Sequence, residues 1–243
     1  NAALFAGGYI PGSSARTTQT ESWNGTSWSE VNDLNLARGQ LSGAGASNTS
    51  SLAFGGTVAP PFNDVKTETE VWNGTNWTEV NDMNTARRRG GGFGIATAAI
   101  NAAGSNSSGS DIAIAEYYNG TNWTEVNDLN TARVTDGSGA GEYTAGLIAG
   151  GSASPYAQTE SWNGTNWTEV NDLNTGRRAL AGIGTQTSAL AAGGNPLRSI
   201  VEEWNGTNWT EVNDLNTGTE AAGDGGTTSS AIVAGGGQAA PNT

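Results

Sequence analysis

One cassette constrains this chain more than any other feature. Trp/Tyr-Asn-Gly-Thr-x-Trp-Thr/Ser-Glu-Val-Asn-Asp-x-Asn occurs five times, its Asn-Gly pairs starting at Asn24, Asn73, Asn119, Asn163 and Asn205. Near-copies at regular intervals mean a repeat architecture, in which each unit buries its apolar face against its neighbours. The intervals are 49, 46, 44 and 42 residues. They fall between the WD40 and kelch periods, which predicts one four-stranded blade per unit. Five units closing on one another account for residues 1–243 as a single all-β domain, a five-bladed β-propeller of antiparallel blades.

Asn-Gly between β-prone stretches signals a tight hairpin. A two-residue type I′ turn would set Trp72 opposite Thr75; a four-residue loop would set Trp72 directly opposite Trp77. Either way the two indoles share one side of the hairpin. Before each hairpin runs a small apolar strand ending in Gly-Gly or its equivalent, at residues 4–8, 52–56, 100–104, 147–151, 190–194 and 232–236. Upstream of five of these lies a Gly-x-Gly: Gly43/Gly45, Gly92/Gly94, Gly139/Gly141, Gly182/Gly184 and Gly223/Gly225. Strands converging on a narrow axis leave little room for side chains, so the Gly-x-Gly strand is expected innermost. The count gives six Gly-Gly strands for five blades. Either terminal copy completes the closing blade, pairing N- and C-terminal strands in one sheet; the other is surplus, available to a neighbouring molecule or marking a cut in a longer array, and an open solenoid of five and a fraction units is the competing reading.

The pattern resembles the kelch repeat. The resemblance rests on the Gly-Gly strand, an aromatic closing the third strand (Trp23, Trp72, Tyr118, Trp162, Trp204), and a Trp opening the fourth (Trp28, Trp77, Trp123, Trp167, Trp209). It also rests on an Arg at the next blade's entrance (Arg38, Arg87, Arg133, Arg177). Two positions depart from it: Ala103-Gly104 stands for Gly-Gly, and Thr219 stands for the fifth Arg. The near-identity of the copies is similar to that in kelch-type repeat proteins of tailed phages of marine bacteria. The resemblance implies that the aromatics pack between blades, and it implies a virion-surface or extracellular setting.

Composition removes much of catalysis. The chain has no Cys and no His, which excludes disulfides, ordinary zinc sites and the nucleophiles and bases built on those side chains. Fifteen of 23 acids recur at fixed cassette positions, such as Glu70, Glu79 and Asp82, and an acid at one active site has no reason to appear five times. The Asn81-Asp82-Met83-Asn84 stretch lacks the Gly and distal Glu of a calcium loop and reads as an Asx turn, so no metal or cofactor is expected. A net charge of −13 with a single Lys, Lys66, argues against nucleic acid and anionic membranes. Arg87, Arg88 and Arg89 form the only cationic run and read as the blade-entrance Arg with solvated neighbours.

Specificity is therefore expected where the copies differ. The loops between second and third strands, 9–14, 57–63, 105–110, 152–156 and 195–198, vary in length and content. They should emerge at the end of the ring opposite the Asn-Gly turns, making Tyr9, Phe62, Tyr156 and Arg198 the candidate contact residues. The expectation is a non-enzymatic binding or adhesion module engaging a glycan or protein. The alternative is a structural propeller that self-associates through its surplus strand.

Overall fold

The computed structural model describes residues 2–10, 13–58 and 64–238, and among them the chain is all-β with no helix. It is a five-bladed propeller. Blade one contains β1 (Ala3–Ala6), β2 (Thr20–Trp23) and β3 (Trp28–Val31). Blade two contains β4 (Ser42–Ser47), β5 (Ser50–Phe54), β6 (Thr69–Trp72) and β7 (Trp77–Val80). Blade three contains β8 (Gly91–Ile95), β9 (Ala98–Ala102), β10 (Ala115–Tyr118) and β11 (Trp123–Val126). Blade four contains β12 (Gly139–Glu142), β13 (Ala145–Ala149), β14 (Thr159–Trp162) and β15 (Trp167–Val170). Blade five contains β16 (Ala181–Thr185), β17 (Ser188–Ala192), β18 (Val201–Trp204) and β19 (Trp209–Glu211). Four further strands follow: β20 (Thr219–Glu220), β21 (Gly223–Thr227), β22 (Ser230–Ala234) and β23 (Gly237–Gln238).

The cassette hairpin takes the four-residue form. Trp72 pairs with Trp77 and Glu70 with Glu79, and the same register recurs in the other cassettes. The two-residue type I′ turn is ruled out because only the Gly, at φ 92 for Gly74, takes positive φ. The Asn side chain closes the loop instead: Asn73 Oδ1 accepts hydrogen bonds from the backbone N–H of Thr75 and Asn76, each at 2.9 Å. That is an Asx-type turn, which explains why Asn recurs here.

The Gly-rich strands line the axis, β4, β8, β12, β16 and β21 lying side by side in that order. A Cβ on Gly92 would come within 2.3 Å of the Gly43 carbonyl oxygen, and one on Gly139 within 2.6 Å of that of Gly92. No side chain fits there. The fifth copy departs by one residue from the Gly223/Gly225 alignment. Asp224 pairs with Val233 just as Gly182 pairs with Ala191, so an acid occupies the place that is Gly in the four other inner strands. Its carboxylate accepts a hydrogen bond from Gly182 N at 2.9 Å.

Closure takes a particular form. β21 and β22 pair with each other in a two-stranded sheet, while β1 pairs with β2 in a three-stranded one. The terminal strands meet by side-chain contact rather than in a shared ladder: Phe5 packs on Gly223, where an added Cβ would lie 1.5 Å from the ring. Both Gly-Gly strands are thus retained at the closing position, because each already has its own hydrogen-bonding partner.

The blades are joined by the repeated residues. At the junction of blades four and five, Trp204 and Trp209 cover Leu147, Ala149 and Leu173. Burying an indole contributes on the order of 5 kcal/mol before ordering costs. Each entrance Arg reaches into the next blade to a buried Glu: Arg38 to Glu70 at 2.8 Å, Arg87 to Glu116, Arg133 to Glu160 and Arg177 to Glu202, the last two at 2.5 Å. The turn Asn residues follow them; Asn84 donates its N–H and Nδ2 to Glu116 at 2.7 and 2.9 Å. The turn Asp residues stay within their own blade, Asp172 Oδ1 accepting from Thr159 N at 3.1 Å.

Candidate binding surface

Just before each inner strand the chain passes through a left-handed residue at the loop end of the axis. These are Gln40, Arg89, Asp136, Ala179 and Ala221, with φ between 51° and 60°. Non-glycine residues adopt this region at a cost, and the neighbours hold them there. Arg89 N donates to Gln40 O at 2.9 Å, Asp136 N to Arg89 O at 3.0 Å and Ala221 N to Ala179 O at 2.8 Å. The result is a rim of five equivalent backbone positions carrying different side chains. One arc is polar (Gln40, Arg89, Asp136) and the other small (Ala179, Ala221).

The polar arc is organised. Arg89 grips Asp136 with two bonds, Nε to Oδ1 at 2.5 Å and Nη2 to Oδ2 at 2.8 Å. Arg88 Nη1 donates to Gln40 Oε1 at 3.0 Å. Tyr9 lies beside this arc, with the Arg16 guanidinium 4.6 Å from its ring centroid. Burial raises the Tyr9 hydroxyl pKa, and the charges of Arg16, Arg88 and Arg89 pull it back. The hydroxyl is therefore neutral at ordinary pH and available as donor and acceptor.

Of the expected contact residues, Tyr9, Tyr156 and Arg198 are exposed, Tyr9 at 40% and Tyr156 at 47%. Each stands on its own loop. The Tyr156 carbonyl accepts from Arg177 N at 2.7 Å, and Arg198 bridges to Thr219. Phe62 lies outside the described residues. The loops are tied to the blade entrances: Thr57 bridges both Gly39 and Val65, and Ser105 bridges both Arg88 and Asp111.

Sequence reasoning missed the rim. Arg87 is the blade-entrance residue, but Arg88 and Arg89 turn toward the axis instead of being mere solvated neighbours. The available signal was that the two positions after each entrance residue, Gly39-Gln40, Arg88-Arg89 and Arg178-Ala179, differ from copy to copy. The paired aromatics of blades two to five are no more than 6% exposed, so they are closed to a ligand. Among the described residues no His, Cys, Asp and Glu grouping is arranged to hold a metal, and no helix is long and apolar enough to cross a membrane.

No family model matches the sequence, and no curated protein sequence matches it. Solved structures do. One described as the structure of YjhT superposes with a TM-score of 0.72 at 12% identity, over 91% of this chain and 85% of that one. At that identity the likeness establishes the propeller fold.

Proposed function

We propose that this propeller is a non-enzymatic binding and adhesion module that engages a glycan or protein through its loop end. One observation carries the reading. The residues repeated in every copy are largely consumed in joining blades, whereas those that differ, Tyr9, Gln40, Arg88, Arg89, Tyr156 and Arg198, sit at the loop end. A near-constant frame presenting unequal loops is the arrangement of a recognition surface. The aromatic and guanidinium groups suit stacking on a sugar ring and hydrogen bonding to its hydroxyls. The kelch-type resemblance extends the proposal to a surface or fibre domain of a virion that attaches to a host.

The test is binding of the intact chain to a glycan panel and to bacterial surface extracts, beside the variant Tyr9→Ser/Tyr156→Ser/Arg198→Ser. A loss of binding of tenfold or more with an unchanged melting temperature is expected. Binding that survives the triple variant, or no binding to any glycan or surface protein, contradicts the reading.

A further inference from the structure

Blade five presents the face that every other blade uses to receive two aromatics. Leu190, Ala192 and Leu215 stand where Leu147, Ala149 and Leu173 stand in blade four, and there Trp204 and Trp209 cover them. In blade five, Val233 of β22 packs on this face. Beside it remains a cavity of about 430 Å³ reaching Val212 and Asn213.

The chain also holds one aromatic hairpin that is incompletely covered. Trp23 and Trp28 are half-buried and Glu21 is exposed, whereas their counterparts in the other blades are buried. The polar partners match in register. Between blades four and five, Asn174 donates its N–H and Nδ2 to Glu202 at 2.7 and 2.9 Å, and Asn171 Nδ2 donates to Thr207 O at 3.0 Å. The corresponding residues are Asn216 and Asn213 on blade five, and Glu21 and Thr26 on the hairpin.

A surplus strand separates the two. In the β21–β22 sheet, the cross-strand pair Asp224 and Val233 faces blade five, and Gly223, on the opposite face, meets Phe5 of blade one. β22 and β1 carry the same pattern, an aliphatic residue at Ile232 or Leu4, then Ala234 or Ala6, then Gly-Gly. Both fit the single second-strand place between β21 and β2.

We infer that the cavity on blade five is the docking site of this chain's own Trp23–Trp28 hairpin, reached when β1 yields its place on β2 to β22. The product is one four-stranded blade of order β21-β22-β2-β3, with Glu21 on Asn216 and the two indoles in the cavity. This junction lacks the entrance Arg, replaced by Thr219, and offers Trp28 no hydroxyl at Val201. It is therefore weaker than the other four, which allows β1 and β22 to exchange.

Cysteine cross-linking reads the docking directly, because the chain has no Cys of its own. In the full chain carrying Glu21→Cys and Asn216→Cys, a disulfide within one chain is expected under mild oxidation. The same pair in a chain lacking residues 1–8 should close at least fivefold faster, since β22 is then the only partner of β2. That truncated chain, without the cysteines, should also show tryptophan emission shifted to shorter wavelength and a melting temperature no lower than the full chain's. Loss of a needed strand predicts the reverse, red-shifted emission and a lower melting temperature, and would overturn the inference. So would a disulfide found solely between chains, which would assign the cavity to a second copy, or none in either chain.

Discussion

Trp167 and Ala115 are packed in one cluster, and the indole N–H of Trp167 has no acceptor. At three other junctions the equivalent indole donates to a threonine hydroxyl: Trp77 to Thr20 at 3.1 Å, Trp123 to Thr69 at 3.0 Å and Trp209 to Thr159 at 3.2 Å. Ala115 stands where that threonine should be. The substitution Ala115→Thr supplies the missing acceptor in a setting that three sister junctions accommodate. A gain of about 0.5–1.5 kcal/mol is expected, measured by urea denaturation at constant m-value.

The entrance Arg residues make a prediction of opposite sign. Burial lowers the pKa of Arg87 and the neighbouring Glu116 raises it back, so charge and partner depend on each other. At the equivalent pair, Arg133→Met strands the buried Glu160 and should cost about 3–5 kcal/mol. The double replacement Arg133→Met/Glu160→Leu should recover much of that loss. A single variant as stable as the parent in denaturant titration would show that the pair does not hold the blades together.

Ala103 occupies the first Gly of the Gly-Gly pair in blade three and is left-handed, at φ 64°. Its counterpart Gly55, at φ 66°, would place a Cβ 2.6 Å from the Arg87 carbonyl oxygen. Ala103→Gly should therefore stabilise the chain by about 0.5–1 kcal/mol, the relief of left-handed strain outweighing the greater chain entropy of glycine. An unchanged or lower melting temperature would count against strain at this position.

Stability should depend on pH through Asp224. Burial raises its carboxyl pKa from 3.8 to about 7, against a smaller opposing effect of the bond from Gly182 N. The folded pKa lies above the unfolded one, so the folded chain holds the proton more tightly. The stabilisation is complete below pH 4 and is lost as pH rises through about 7. Melting temperatures between pH 5 and pH 8 should fall in the parent and stay flatter in Asp224→Asn. Equal slopes would remove Asp224 as the cause.

Much of this architecture was legible because the repeat states each requirement several times. The innermost position of the Gly strands and the structural use of Glu70 or Glu116 follow from periodicity and sterics, while the inter-blade aromatics follow from the kelch resemblance. The hairpin loop was legible only as two alternatives, since Asn-Gly serves a type I′ turn and an Asx-closed loop equally well. The offset at Asp224 was hidden, because Gly223-Asp224-Gly225 mimics the Gly-x-Gly of its sisters while hydrogen-bonding one residue out of step. The rim of Gln40, Arg89 and Asp136 was legible only as copy-to-copy variation after the entrance residue, since left-handed conformations at non-glycine residues leave no compositional mark.

In the proposed function the repeated cassettes are frame and the loop end is the recognition surface. The most direct measurement compares ligand capture by two variants of equal melting temperature. One carries Tyr9→Ser/Tyr156→Ser, and the other carries Thr26→Ala/Thr121→Ala/Thr207→Ala in the exposed Asn-Gly loops at the opposite end. The loop-end variant is expected to lose binding and the Asn-Gly variant to keep it. Loss in the Asn-Gly variant with retention in the loop-end variant would move recognition to the cassettes and overturn the proposed function.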